Sequence, residues 1–526
     1  MQAGLDPYDD KSTAPVDPAT VAGEPAGKAG VLLGRSSDLT AEAYEAIIYD
    51  GAPVAIDPIA LERVARHRRQ FLQHLETGII CYGVNTGLGA LAKQDLSAAD
   101  RAALPRHILL GRAAAIGMPF KRPVVRGALL IKLAQFLDGA SAVTPELCLY
   151  LAARINDGFT PYVPSEGLGM AGEIIPLCHL AQTLIGEGFV LGAGNLPQPT
   201  ELWCRQNGVV PYEPAPKEGL SLINGTAMGP AYAADLLRQL RATLAQAELI
   251  AAASIEGLAA PLEPYDPLVG ALRRDRGLAD ANERLRELLR DSGITRQPRQ
   301  APVSFRVTPQ IHAVAEQALA DLDSAIGDEM ISTGDNPAFI ADEETGIGGR
   351  LLHCGNFHAA ALTQAVEAAA LAQMQLGLLA ERRLHRLLDQ RASNLAPQLA
   401  KQPGLDAGLV TLHKAVLGLS AELRSLSVPP SVMHGESSFG QEDVMTMLFP
   451  ALDRLARIDG LNRRILSYEL YAALVAVDAR QEAAETERPS IAVAELRTRV
   501  RQQIPAYEGD RSYGPEIERL KALLFD

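Results

Sequence analysis

Several residue types are scarce in this chain, and each scarcity narrows what it can be. Among 526 residues there are 5 cysteines, Cys81, Cys148, Cys178, Cys204 and Cys354, and no two form a CxxC pair. An odd, scattered set in a long chain excludes a disulfide framework and a cysteine-based zinc ribbon, and it suits a reducing compartment. Basic residues are outnumbered, 49 Lys and Arg against 63 Asp and Glu, for a net charge of −14. Generic nucleic-acid binding, which depends on neutralising phosphates, is therefore not expected. No apolar run approaches the roughly 20 residues that cross a bilayer. The first thirty residues lack a basic and then apolar leader, so no secretory signal is expected and a cytoplasmic location is. Aromatic residues make up 5%, with a single Trp, whereas hydrophobic residues reach 47%. That balance is globular, and its abundance of Ala and Leu favours helix.

Four segments follow from composition. Residues 1–28 are rich in Pro, Ala, Asp and Gly without apolar periodicity and read as a flexible tail. Residues 29–222 alternate loops with helices such as Val124–Leu137 and Leu177–Ile185, with a few short strands. Residues 223–480 hold long helical patterns: Pro230–Leu258, Ala359–Arg391, Leu405–Leu426 and Asp443–Asp478, with a kink expected at Pro450. Ala359–Arg391 has no proline and one internal glycine, Gly377; as a helix it would run about 50 Å. These helices are apolar on more than one face, which argues for burial in a bundle, and an oligomeric one, over a narrow coiled-coil seam. Residues 481–526 form an acidic linker and a small helical segment.

Four clusters of polar residues and glycine interrupt the apolar pattern. Tyr82-Gly83-Val84-Asn85-Thr86-Gly87-Leu88-Gly89 can present a phenol and an amide from a flexible loop, but it has neither the GxGxxG spacing nor the βαβ context of a nucleotide site. Pro161–His179 brings a glycine-rich turn to a helix start, where free N–H groups collect; His179 itself reads as a satisfied core histidine. Leu222–Thr226 contains Asn224 at the mouth of a long helix, where capping is the plainer reading. The last cluster gathers Gln300, Arg306, Asn336, Asn356-Phe357-His358 and Gln441-Glu442-Asp443. An Arg among apolar residues suits a carboxylate, whose two oxygens match its planar fork. No metal-ligand spacing stands out.

The order of these motifs is more specific than any one of them. YGVNTGLG, PYVP…PLCHLAQTLIGEG, KEGLSLINGT, SFRVTPQ, GDNP, GNFHA, AERR and GQED together resemble the aromatic amino acid ammonia-lyase/aminomutase family, over nearly the whole chain from about Gly30. The resemblance implies a mainly α fold with a central bundle of long helices, assembled as a homotetramer whose active sites draw loops from three subunits. It implies Tyr82 as the base that takes the β-proton, and Glu442, in place of the family's NQED glutamate, as a second catalytic group. It further implies Asn224, Gln300, Arg306 and Phe357 as substrate-binding residues. Gly440 stands where the family has Asn.

Three departures from the family pattern are informative. The family cyclises Ala-Ser-Gly into an electrophilic prosthetic group, 4-methylideneimidazol-5-one; here the place is taken by Met170-Ala171-Gly172, in a segment one residue shorter. Ala171 has no hydroxyl to lose, so no prosthetic group is expected. The family's substrate-binding histidine is Arg112, and the Tyr three residues before the carboxylate-binding Arg is Val303. Glu173 replaces an Asp. Lys401, in a Pro/Gly-bounded break between helices, is a further catalytic candidate, although a solvated surface lysine is commoner. A lyase without the electrophile suits a substrate whose amine leaves unaided. A quaternary trimethylammonium does so, which makes ergothioneine, split to thiolurocanate and trimethylamine, the expected substrate. Hercynine, another aromatic amino-acid derivative, or an inactive homologue acting as a regulatory subunit are the alternatives.

Overall fold

A computed structural model describes residues 29–88, 96–168 and 172–525. Gly89 of the tyrosine loop and Met170 and Ala171 of the glycine-rich turn lie outside the described residues. The chain is mainly helical and divides into two compact units, each assembled from segments far apart in sequence.

The first unit comprises residues up to Asp235, Ser324–Thr363 and Pro430–Pro450. It carries all eight described strands, paired as four two-stranded sheets. β1 (Val31–Leu33) and β2 (Val54–Ile56) run parallel, whereas β3 (Ile116–Pro119) with β4 (Pro164–Glu166), β5 (Phe189–Leu191) with β6 (Pro197–Pro199), and β7 (Ala338–Ala341) with β8 (Gly349–Leu352) are antiparallel. Helix α1 (Arg122–Leu137) starts with Pro123 in its first turn and is buried on nearly every side from Val124 onward. That follows from its sequence, which from Val124 onward is apolar all round except for Arg126, Lys132 and Gln135. The short α2 (Glu218–Ile223) is fully buried and approaches the helix Ala98–Leu110 so closely that a Cβ on Gly219 would collide with the Pro105 carbonyl.

The second unit comprises Leu236–Asp323, Gln364–Pro429 and Ala451–Asp526, and among its described residues no strand occurs. Its frame comes from long helices: α3 (Met228–Leu258), α4 (Thr308–Ile331), α5 (Ala360–Leu388), α6 (Val410–Ser425) and α7 (Leu448–Ala483). Gly377 of α5 is where the backbone meets α7: a Cβ there would lie 3.0 Å from Leu423 and closer still to Asn462, whose Nδ2 donates to the Gln373 carbonyl at 2.8 Å. A mid-helix glycine costs about 1 kcal/mol against alanine, offset here by the close crossing. Arg383 of α5 is wholly buried and grips Glu469 of α7 with two bonds, 2.6 and 3.0 Å, while Ser254 of α3 donates to the same carboxylate at 2.7 Å.

Two expectations need correction. Pro450 does not kink a helix, because α7 begins at Leu448 and puts the proline in its first turn, where no N–H is required. The helix expected from Leu405 begins instead at Val410. Gly404 and Gly408 before it adopt positive φ, and the Ala407 and Gly408 N–H groups donate to the Asp510 carboxylate at 2.7 and 3.0 Å, which fixes them as a turn. No helix among the described residues is long and apolar enough to cross a membrane.

Candidate active site

The tyrosine loop is a self-bonded turn. Asn85 accepts the Cys81 N–H at its Oδ1 (2.8 Å) and donates through Nδ2 to the Ile79 carbonyl (2.8 Å). Thr86 Oγ1 accepts from the Gly83 N–H and donates to the Gly87 carbonyl. Both polar side chains are therefore spent on shape, and the Asn85 amide, expected above to face a ligand, is a structural clamp. Gly83, at φ +67°, leaves only 2.7 to 2.8 Å from a would-be Cβ to Leu88 and to Leu220 of α2. The turn so made holds Tyr82 half-buried, with its backbone N–H donating to His353 Nε2 at 3.5 Å.

Asn224 ends α2 and rests on a buried ionic network. Its Nδ2 donates to Asp335 Oδ1 at 3.1 Å and to the Asn336 carbonyl at 2.6 Å, and its Oδ1 accepts the Gly225 N–H at 3.0 Å. A carbonyl oxygen has two lone pairs, so one remains for a ligand. Asp335 Oδ2 in turn accepts from Lys217 Nζ at 2.8 Å and Ser221 Oγ at 2.7 Å. Lys132, the one fully buried cation of α1, donates to the carbonyls of Ser221 (2.7 Å) and Asn224 (2.8 Å) and lies over the Phe136 ring. Burial pulls the Lys132 ammonium down to about 8, opposed by Asp335 and Glu173. Burial alone would raise the Asp335 carboxyl, but Lys217, Lys132 and its hydrogen bonds outweigh it and hold it below the usual range. Gly225 (φ +84°) and Gly334 stack backbone on backbone, with Gly334 also against the Asn356 carbonyl. The Cys354 N–H donates to Asn336 Oδ1 at 2.8 Å. The three loops around 222–226, 333–337 and 353–358 are thus linked, which puts Asn224 and Phe357 on adjoining loops, and His353 ties the last of them to Tyr82.

Gly172 (φ +71°) contacts Phe357, a Cβ there falling 3.5 Å from the Phe357 Cβ. Next to it, the buried Glu173 accepts the N–H groups of Ala227, Met228 and Gly229 at 2.7, 2.6 and 2.8 Å and so caps α3. Its burial raises the carboxyl to about 7 against the pull of those donors. A Cβ on Gly229 would lie 2.5 Å from Glu173 Oε1, so the longer acid and the glycine fit as a pair.

Arg112 is half-buried just past the helix Ala98–Leu110. Its segment is tied down by His179, whose Nε2 accepts the Ala115 N–H at 2.9 Å, as expected of a satisfied histidine. Burial pushes the nearby Cys178 thiol up to about 12, with the Arg112 charge opposing. Glu442 closes a turn with Ser437, accepting from its N–H through the backbone at 2.9 Å and from its hydroxyl through the side chain. Gly440 within that turn has φ +79° with nothing near its Cβ position. Asn and Gly are the residues that adopt this left-handed backbone most readily, which accounts for their exchange.

Gln300, Arg306 and Lys401 belong to the second unit. Arg306 ends the short helix Val303–Arg306 and donates through Nε to the Ala301 carbonyl at 3.0 Å. Among the described residues its two terminal nitrogens have no partner, which leaves the fork available to a carboxylate. Gln300 is exposed. Lys401 is bound to both carboxylate oxygens of Glu482, at 2.7 and 2.5 Å, so its charge is already matched. Sequence reasoning overlooked Lys132, Lys217, Asp335 and Ser221. The available signal was a single lysine inside the apolar run LLIKLAQFL and a charged KE pair before LINGT.

The model of the aromatic amino acid lyases matches residues 39–502. A histidine ammonia-lyase of Anaeromyxobacter sp. (strain K) is 33% identical over 508 residues, covering 94% of this chain and 98% of its own. Among solved structures, tyrosine aminomutase from Streptomyces globisporus superposes with a TM-score of 0.85 at 28% identity, over 94% of this chain and 97% of that one. Ergothionase from Treponema denticola, solved with desmethyl-ergothioneine sulfonic acid, gives a TM-score of 0.88 over 94% and 98%; at 24% identity this is a likeness of fold.

Proposed function

The chain belongs to the aromatic amino acid lyase family, a family of carbon–nitrogen lyases, and from that premise we propose that it eliminates trimethylamine from a histidine-derived betaine, with ergothioneine as substrate and thiolurocanate as the second product. The observation that carries this reading is Ala171. The family's prosthetic group is made from a serine that surrenders its hydroxyl, and Met170-Ala171-Gly172 has none. The residues present therefore do not fit that group. Ammonia is a poor leaving group that benefits from covalent capture of the amine. A trimethylammonium has no N–H or lone pair to be captured and departs as a neutral amine.

In this reading Arg306 holds the substrate carboxylate through both terminal nitrogens. Tyr82 accepts the β-proton, the C–H pair becomes the new C=C bond, and the C–N pair leaves on nitrogen. Asn224, fixed from below by Asp335, offers its remaining carbonyl lone pair, and Phe357 packs against the ring. Arg112 and Glu442 of the first unit and Gln300 of the second are further substrate-binding and catalytic candidates, while Lys401, matched to Glu482, is the weakest of them. A homotetramer completes it. The exposed apolar residues Val314, Leu371 and Leu417 on the long helices support such an assembly. Histidine ammonia-lyase relatives support an imidazole ring and keep hercynine as the second reading.

The test is to incubate the purified protein with ergothioneine, hercynine and histidine and to assay trimethylamine and ammonia separately. Trimethylamine from ergothioneine is expected, with the intact mass of the chain showing no loss of water. Ammonia from histidine, or a mass lower by two waters, would overturn the proposal. Tyr82→Phe keeps the ring and loses the ionisable oxygen, so turnover should fall by about two orders of magnitude.

A further inference from the structure

Outside the candidate active site, one cluster of ligand-type side chains occurs among the described residues of the second unit. Glu381 and His385 lie four residues apart on α5 and so share a face. His413 comes from α6, with its Nε2 3.0 Å from Glu381 Oε1. One donor atom from each of the three lies within 4.8 Å of the others. Three features distinguish this cluster from an ordinary ion pair. Glu381 is fully buried, and its Oε2 has no hydrogen bond: Arg382 Nε approaches to 3.1 Å without the geometry of one. His385 Nδ1 is buried and also without a partner. The two imidazoles stack with centroids 4.3 Å apart and 18° between planes, so neither ring satisfies the other's nitrogens.

We propose that Glu381, His385 and His413 form a binding site for a borderline-soft divalent cation of the zinc, cobalt or nickel type, clasping α5 to α6. Two imidazoles and one carboxylate match the ligand preference of these ions, which favour nitrogen over the all-oxygen shells of magnesium and calcium. Zinc–nitrogen bonds of about 2.0–2.1 Å require the donors to draw closer than they stand. His385 Nδ1 and Glu381 Oε2, both buried and without a hydrogen bond, are the donors left over for an ion. Water from the exposed side completes a four-coordinate shell. The set is invisible to ligand spacing along the chain because His413 arrives from a separate helix.

The experiment uses the full-length protein, stripped with EDTA and dialysed against zinc chloride, with bound metal measured by elemental analysis. One zinc per chain is expected, together with a rise in the thermal unfolding midpoint. Cobalt(II) in place of zinc should give the visible absorption of a four-coordinate ion. His413→Gln and His385→Ala should each weaken binding at least tenfold and abolish both the thermal shift and the cobalt spectrum. Glu381→Gln should weaken it as well, and if that buried change prevents folding the two histidine variants decide. No stoichiometric zinc, or zinc retained equally by both histidine variants, would overturn the proposal.

Discussion

Two buried ion pairs, one in each unit, look alike in isolation and do different work. Arg383–Glu469 joins a guanidinium and a carboxylate that are both fully buried, one to one, with Ser254 and Thr308 as their other partners. Every one of those partners is a side chain on a long helix, so the pair fixes how helices cross. Lys217–Asp335 is just as buried. Its neighbours, however, lie where the short α2 runs into a loop: the Ser221 hydroxyl and the Asn224 amide, with Lys132 beside them on the carbonyls of the same two residues. Here one ammonium, Lys217, bonds the carboxylate and a second, Lys132, acts on it through its charge alone, while the remaining bonds fix the loop that carries Asn224. The difference teaches that the destination of a buried charge's hydrogen bonds, helix side chain or loop backbone, separates a bundle clamp from the support of a site.

That contrast can be broken or sharpened by substitution. The largest effect is expected for Arg383→Met, which strands Glu469 in the bundle and should cost about 3–5 kcal/mol in denaturant unfolding. Adding Glu469→Leu should restore most of that loss, with no separate effect on turnover per folded molecule. Lys217→Met should cost less, about 1–3 kcal/mol, because Lys132, Ser221 and Asn224 still face Asp335. Its turnover should nevertheless drop about tenfold as Asn224 loosens, an outcome opposite in kind to that of Arg383→Met. If Lys217→Met lost stability alone, the distinction between the two pairs would fail.

Glu173 gives a smaller, pH-dependent effect. Its folded pKa of about 7 lies above the ordinary 4.5, so the folded state binds this proton more tightly than the unfolded chain does. The associated stability is present below the ordinary value and is lost as pH rises through about 7. Glu173→Gln should therefore flatten the fall in stability between pH 5 and pH 8, read by chemical unfolding at each pH. The smallest effect is expected for Gly440→Asn, below about 1 kcal/mol, since asparagine tolerates a left-handed backbone. Gly440→Val at the same φ should cost visibly more in thermal unfolding.

Much of the site was legible because its residues carry unusual chemistry in fixed local patterns. Tyr82, Asn224, Phe357 and Arg306 were each marked by a motif, and the structure places the first three on adjoining loops of one unit. The roles inside those motifs were less legible. Asn85 looks as available as Tyr82 in YGVNTGLG, and only its two bonds to Cys81 and Ile79 reveal it as a clamp. Lys401 looked like a free cation until Glu482, 81 residues away, was found beside it. Pairings across such distances leave no periodic trace.

What the sequence determined by itself is what depends on composition and local order: long Ala/Leu helices from their periodicity, the family from the succession of motifs, and from Ala171 the loss of a hydroxyl that no folding can restore. Tertiary structure alone decided which charges are buried and with whom. Lys132, Lys217 and Asp335 are far apart in the chain, and whether each is a solvated surface group or part of a dry network depends on what folds over it. Desolvation and hydrogen-bond geometry are properties of that packed neighbourhood, so the support beneath Asn224 exists only once the loops have met.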